Sequence, residues 1–453
     1  MVREHLWPKT RPDSHAAGPL VRIAPNTLVT SDTDFVRKIN AVRSPYQRSD
    51  WNKAFRFDAD RDNAFSETDA EKHTKLKSKL SPGYSGKENP NLESDMDKVI
   101  MTFIELIKSK YISKSDILRP VDIGEKIHFL TLDIITSLST GTPFGWLTDD
   151  EDKYSYIATI AASVPAMSFM GAVPFLSRLT RMPAFQRLVL PSVKDRIGMG
   201  AVKGVAHKII AQRLQETRDQ KRIQRKDMLQ SMINHGLTEG EIADDFLLQI
   251  LAGSDTSGVI LRSALIYIVS NPRVYNRLKS EVMSTDIPLD SIISHAHAQQ
   301  LSYLTAVIKE TLRYYPINTG LSPKTVGPDG DVYNGLALPP GTEIGVSAWA
   351  LYRHNPAYGE DCGHYRPERW LEAGPKQLAR MEREHDLVFA SGRFRCLGER
   401  IARMELSKCL FEMIRRFDFA FLDPLKLLEK EENHGLWLQR GLWARIEEAE
   451  ARM

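Results

Sequence analysis

From Phe246 to Val269 the chain is apolar on nearly every face of a helix and long enough to cross a bilayer, and this run constrains the fold more than any other feature. Gln249, Asp255 and Arg262 stand inside it. A charge at mid-span costs about 2.5–3.5 kcal/mol on insertion, so the run reads as a helix buried in protein. Just ahead of it, Thr238-Glu239-Gly240-Glu241 matches a capping box, in which hydroxyl and carboxylate satisfy free N–H groups at a helix start. A helix from Glu239 to Ser270 spans roughly 48 Å. Only a large domain can surround such a rod on all sides.

The chain has 453 residues, 42% hydrophobic and 26% charged, an ordinary balance for a soluble protein with a sizeable core. Helical periods dominate, and strand signals are confined to Leu20–Thr30, Lys324–Leu351 and residues 424–453. The expected fold class is mainly α with small β-sheets. Val332–Leu338 and Thr342–Trp349, either side of Pro339-Pro340-Gly341, read as two strands about a turn. Residues 1–19 read as an N-terminal arm without an apolar run of membrane-span length, and residues 20–453 as one domain. The apolar, basic stretch Val173–Arg196 reads equally as a membrane-surface contact or as a loop over the core. With 61 basic against 58 acidic residues the net charge is +3, which offers no field for nucleic acid. Cys362, Cys396 and Cys409 are too few and scattered for a disulfide framework or a four-cysteine zinc site.

Two places carry chemistry. In the middle of the apolar run, Ala252-Gly253-Ser254-Asp255-Thr256-Ser257-Gly258 forms a polar island. Buried polar groups need partners; a threonine bonding the carbonyl four residues back bends a helix and opens a groove, and Gly253 would admit a ligand to the backbone. A helix kink with satisfied side chains is the simpler account of the segment taken alone. Further on, Phe389-Ala390-Ser391-Gly392-Arg393-Phe394-Arg395-Cys396-Leu397-Gly398 precedes a run of helical period through Ile401, Met404, Leu410 and Met413. Cys396 therefore stands just before a helix N-terminus, where the dipole and the flanking arginines favour a thiolate. An inert buried thiol is the alternative for any single cysteine, and Cys409 fits it.

Phe389-x-x-Gly392-x-x-x-Cys396-x-Gly398 resembles the haem-binding loop of the cytochromes P-450. Ala252 to Ser257 resembles that family's oxygen-activating helix, Glu310-Thr311-Leu312-Arg313 its Glu-x-x-Arg pair, and Pro367-Glu368-Arg369-Trp370 its third anchoring motif, all in the family's order. The resemblance covers Thr238 to the C-terminus, and the wording Arg415-Arg416-Phe417-Asp418-Phe419 resembles fungal secondary-metabolism members. It implies a triangular prism with haem b, iron protoporphyrin IX, between the long central helix and the cysteine-loop helix. Cys396 would then be the axial iron ligand, with Phe389, Gly392, Gly398 and Ala252 around the cofactor. Thr256 backed by Asp255 would deliver protons to dioxygen. Glu310, Arg313 and Arg369 would form a buried structural triad. His73, Lys77 and Lys324 match the positions that hold the propionates, with lysine for the more frequent arginine at the latter two. Phe394 departs from the family, which usually places arginine or histidine there, so Arg393 or Arg395 would have to replace that contact.

The activity so implied is insertion of one oxygen atom from O2 into an apolar small molecule, a secondary metabolite by the narrower resemblance. Electrons would come from an NADPH-dependent reductase. The same cofactor serves desaturation, ring rearrangement or oxidative coupling, and a haem-binding protein without turnover is the reading from another class. The pocket would be lined by Trp51–Phe57, part of Ser155–Val173, Ile317–Leu321 and Gly435–Leu436, mostly apolar or small. The expected location is the cytoplasm or, with peripheral contact, the endoplasmic reticulum surface.

Overall fold

The computed structural model describes residues 20–449 apart from 174–175, 177–181, 183, 186, 188–189 and 220–224. The apolar run forms one helix, Glu239–Val269, starting at the expected capping box: Thr238 Oγ1 accepts from the Glu241 N–H at 3.3 Å and the Glu241 carboxylate accepts from the Thr238 N–H at 2.7 Å. This central helix is buried along most of its length and packs on Ile123–Thr140, Gly198–Arg218, Ser302–Tyr314 and Glu399–Arg416. Ile123–Thr140 is itself buried at almost every residue, which is why both helices are apolar all round. A Cβ at Gly253 would come within 2.9 Å of Ile135, so this glycine serves close helix approach, not the ligand contact expected from the sequence. The central helix is also uninterrupted across its polar island, where a kink had been the simpler expectation.

Helices dominate, and the strands form small sheets. The largest has the order Leu20–Ala24, Thr27–Thr30, Glu343–Val346, Lys324–Thr325, Gln47–Arg48. Its last two strands are antiparallel and set Arg48 opposite Lys324. Val332–Leu338 is not one strand. It is a hairpin of Asp331–Tyr333 and Leu336–Leu338 about Asn334-Gly335, whose φ values of 50° and 80° are those that a two-residue Asn-Gly turn requires. Thr342–Trp349 contributes only Glu343–Val346 before Ser347 caps a helical turn. Near the C-terminus Lys430–Asn433 pairs with Trp437–Arg440, and Trp443–Glu448 joins Phe417–Phe421 to Val121–Asp122.

One apolar cluster runs from Phe57 to Ile446 through both long helices. The N-terminal arm, residues 1–19, and much of Val173–Arg196 lie outside the described residues. Among the described residues one helical stretch, Lys153–Ala172, is long and apolar enough to cross a membrane, and only 17% of its most apolar window is buried.

Candidate functional site

The cysteine loop is shaped by three backbone constraints. The Cys396 N–H donates to the Phe389 carbonyl at 2.8 Å, folding the loop back on itself. Gly392 has φ +55°, and a Cβ there would lie 2.1 Å from the Asn40 carbonyl, so only glycine fits. Ala390 has φ 56° and ψ −171°, a region otherwise left to glycine. Beyond the loop, Gly398 caps helix Glu399–Arg416 and Cys396 stands two residues before that cap, ahead of the helix as the sequence indicates.

Cys396 is accessible, whereas Cys362 and Cys409 are buried. Burial in the loop pushes the Cys396 thiol up, outweighing the Gly398 and Glu399 N–H groups that favour a thiolate. The expected help from flanking arginines is not there. Arg393 donates to the carbonyls of Val42 and Ser44, and Arg395 pairs with Asp386 and Glu399, because neighbours in a loop point in different directions. Lys77 is the cation whose charge favours the thiolate, its ammonium held 2.8 Å from the Arg393 carbonyl and 2.5 Å from that of Arg395.

On the central helix every polar side chain of the island has a partner. Ser254 and Thr256 donate to the carbonyls of Ile250 and Ala252, at 2.7 and 2.8 Å. The Asp255 carboxylate lies 2.7 Å from His128 Nε2 on the neighbouring helix. Ser257 bonds the carboxyl of Glu405, which burial pushes up to about 8. Ala252 is exposed in this otherwise buried rod, and Thr256, one turn on, shares its face. His128 and Glu405 are not apparent from sequence, since each sits in a helix whose pattern reads simply as buried.

A third group of side chains surrounds Phe394. Arg48 Cζ and Lys324 Nζ lie 5.0 and 4.8 Å from its ring centroid, and the His73 ring lies 5.6 Å away. None of Arg48, Lys77 and Lys324 forms an ion pair with a carboxylate among the described residues. Burial and the Arg48 charge bring Lys324 down to about 7 and Lys77 to about 8; burial brings Arg48 to about 10. Burial, then the charges of Arg48 and Lys77, bring His73 down to about 3, which favours the neutral ring. Its Nδ1 is buried without a hydrogen-bond partner. Arg48 escaped the sequence reading because it stands in a two-residue strand.

The Glu310, Arg313 and Arg369 side chains meet as expected and are almost wholly buried. Arg313 forks onto Glu310 at 2.7 and 2.9 Å, Arg369 Nε donates to the same carboxylate at 3.1 Å, and Trp370 Nε1 donates at 3.0 Å. The remaining guanidinium N–H groups donate to carbonyls of Tyr352, Tyr358, Asp361, Cys362 and His364 and, from Arg369 Nη1, to the Asp361 carboxylate at 2.8 Å, tying helix Ser302–Tyr314 to that loop.

A family model described as Cytochrome P-450 matches residues 18–442, nearly the whole chain. The chain belongs to the cytochrome P-450 family. Relatives named Cytochrome P-450 monooxygenase include ABA1 of Pyricularia oryzae, 36% identical over 94% of this chain and 83% of its own length. Another is aba1 of Botryotinia fuckeliana, 34% identical over 96% and 85%. A third is gsfF of Penicillium aethiopicum, 29% identical over 90% and 82%. This P-450 is therefore a haem-dependent oxidoreductase of the monooxygenase kind, acting with O2, a small-molecule substrate and a redox partner.

The residues present fit that cofactor. An accessible cysteine precedes a helix, and an orphaned imidazole nitrogen stands among cations that have no carboxylate partner, as the two propionates of haem b require. The segments expected to line a P-450 substrate pocket also meet one another. The Thr319 and Gly320 N–H groups donate to the Gly435 carbonyl, Ser168 donates to the His434 carbonyl at 2.6 Å, and Trp51 lies against Gly171.

Proposed function

We propose that this P-450 inserts one oxygen atom of O2 into an apolar small molecule, a secondary metabolite by kinship with fungal monooxygenases, with electrons from an NADPH-dependent reductase. The observation that carries the reading is the accessible Cys396, held by the Phe389 carbonyl and faced by the Gly398 and Glu399 N–H groups. Bound through that thiolate, haem supplies the oxygen-activating chemistry. The protein's own part is to hold, orient and protonate.

Residues 20–453 act as one catalytic domain, a reading supported by the apolar cluster that runs from Phe57 to Ile446. Phe389, Gly392 and Gly398 set the loop around the cofactor, and Ala252 leaves room above it. Thr256 passes protons into the pocket and Asp255 replenishes them. His128, 2.7 Å from Asp255, positions that carboxylate. Lys77, Lys324 and the N–H of neutral His73 hold the propionates. The triad fixes the segment that carries the cysteine loop.

The apolar or small residues at Trp51–Phe57, Ile317–Leu321 and Gly435–Leu436 favour a hydrophobic substrate. The protein works in the cytoplasm or on the endoplasmic reticulum surface. The exposed apolar helix ending at Phe169 and Ala172 supports the peripheral contact. Mass spectrometry of products formed with reductase, NADPH and candidate apolar metabolites under 18O2 tests the whole reading. One labelled oxygen in the product is expected, and a product of unchanged oxygen content would replace insertion by desaturation or coupling.

A further inference from the structure

We propose that Glu405 is a positioning residue of the reaction: as a neutral acid bonded to Ser257 it fixes the central helix, and with it Thr256, against the helix that begins beyond Cys396. The proposal rests on Thr256 being the residue that passes protons, and three observations carry it.

The first is placement. Glu405 stands in the second turn of helix Glu399–Arg416, Ser257 stands midway along the central helix, and these two helices pack on each other. Thr256 and Ser257 are consecutive, hence about 100° apart around the helix axis. Thr256 shares the exposed face of Ala252, while Ser257 is buried and bonds Glu405. A bond made at Ser257 therefore holds the rotation and height of the turn that presents Thr256.

The second is what Glu405 lacks. It is 2% exposed, and its Oε1 has no hydrogen-bond partner. The charged groups on the helices packed against it are engaged elsewhere: Lys408 with Glu93 and Asp97 at 2.7 and 2.8 Å, and Lys279 with Asp418 at 2.9 Å. Glu310 and Arg313 pair with each other, His295 lies 3.2 Å from Ser407, and Cys409 is a buried thiol. An ionised carboxylate here would be buried without a counter-charge, which a protein escapes by keeping the group protonated. Burial accordingly brings Glu405 up to about 8, against the Ser257 bond.

The third is the contrast within the same helix. Glu412, two turns on and equally buried, is gripped by Arg415 and Arg416, each at 2.7 Å. The fold supplies cations to one carboxyl and withholds them from the other. A protonated carboxyl can both donate and accept, so Glu405 bridges two helices without setting a charge beside the site.

The test uses the holoenzyme and two readouts. In the infrared difference spectrum the carbonyl band of a neutral carboxylic acid should disappear as pH rises through about 8, and Glu405→Gln should lack that band. Product formed per NADPH is the second readout. Glu405→Gln, which keeps the bridge and has no proton to lose, should match wild type at neutral pH and exceed it in alkali, where wild type falls. Glu405→Leu, which fills the space without the bridge, should keep the thiolate-type Soret band and the wild-type thermal midpoint. Its product per NADPH should fall about fivefold, the loss of one hydrogen bond. Wild-type coupling in Glu405→Leu overturns the proposal, as does a wild-type protein without the acid band or a Glu405→Gln variant as uncoupled as Glu405→Leu. Should Glu405→Leu fail to fold, Ser257→Ala decides from the other helix: a fall in coupling supports the bridge, and unchanged coupling refutes it. Full coupling in Thr256→Ala would instead sink the reading of Thr256, a separate outcome that leaves the infrared band in place.

Discussion

The cluster of buried charge around Glu310 and the one around Phe394 are built on opposite plans. Around Glu310 the carboxylate faces two guanidinium groups whose other N–H groups end on backbone carbonyls and on the Asp361 carboxylate, so the charge is dispersed entirely within the protein. Around Phe394 three cationic side chains gather with no carboxylate in ion-pair contact among the described residues; burial lowers the pKa of each, and the Arg48 charge lowers those of the two lysines further. A closed network is what a fold keeps for its own rigidity, whereas cations left without a counter-charge make sense when a ligand brings the anion.

Breaking the closed cluster gives the largest expected effect. Glu310→Ala leaves Arg313 buried without a carboxylate and Arg369 with Asp361 alone, and should cost about 3–5 kcal/mol, seen as a large fall in the denaturant midpoint or as failure to accumulate folded protein. The same network sets an acid limit. Burial pushes Glu310 up, but the Arg313 and Arg369 charges more than offset this and hold it below its ordinary 4.5. Its contribution is therefore fully present above that pH and lost as pH falls through the lower folded value.

The open cluster should respond in the opposite sense. With Lys324 at about 7 against an ordinary 10.5, the unfolded chain binds more protons between those values. Haem-free protein should accordingly gain stability as pH rises from about 7 toward 10.5. Haem binding at pH 8 should release fewer protons in wild type than in Lys324→Met, since the Cys396 thiol loses its proton to ligation in both while the propionates restore the lysine charge only in wild type. Equal release in weakly buffered solution would mean that this lysine does not meet the propionates.

Smaller effects sharpen the picture. Thr256→Ala should keep the thiolate-type spectrum yet divert most reductant from product to peroxide, checked by comparing NADPH consumed with product formed. Ala390→Gly should stabilise the loop by about 1 kcal/mol, the low end for releasing a residue from a glycine-only conformation, measured by thermal denaturation of the holoenzyme.

The sequence makes the closed cluster readable and hides most of the open one, for a physical reason. Glu310 and Arg313 are three apart on one helix, so local spacing brings them together, and Arg369 is added by its motif. The central helix was equally legible because its capping box and apolar faces are local. Arg48 owes its place to a two-residue strand that exists only by pairing with Lys324-Thr325, and no local pattern signals such a strand. His128 likewise meets Asp255 only through helix packing. The flanking arginines were misjudged since nearness in sequence fixes no direction in a loop. The Asn334-Gly335 turn, by contrast, was present in the sequence as a dipeptide that ends one strand and starts another.

The claim on which the reading of the open cluster depends is that the Cys396 sulfur binds haem iron as thiolate. The reduced carbon monoxide spectra of wild type and Cys396→Ala, each reconstituted with haem, test it directly. Wild type should show the strongly red-shifted Soret band and the variant should lack it. A red-shifted band that survives in Cys396→Ala would contradict the assignment.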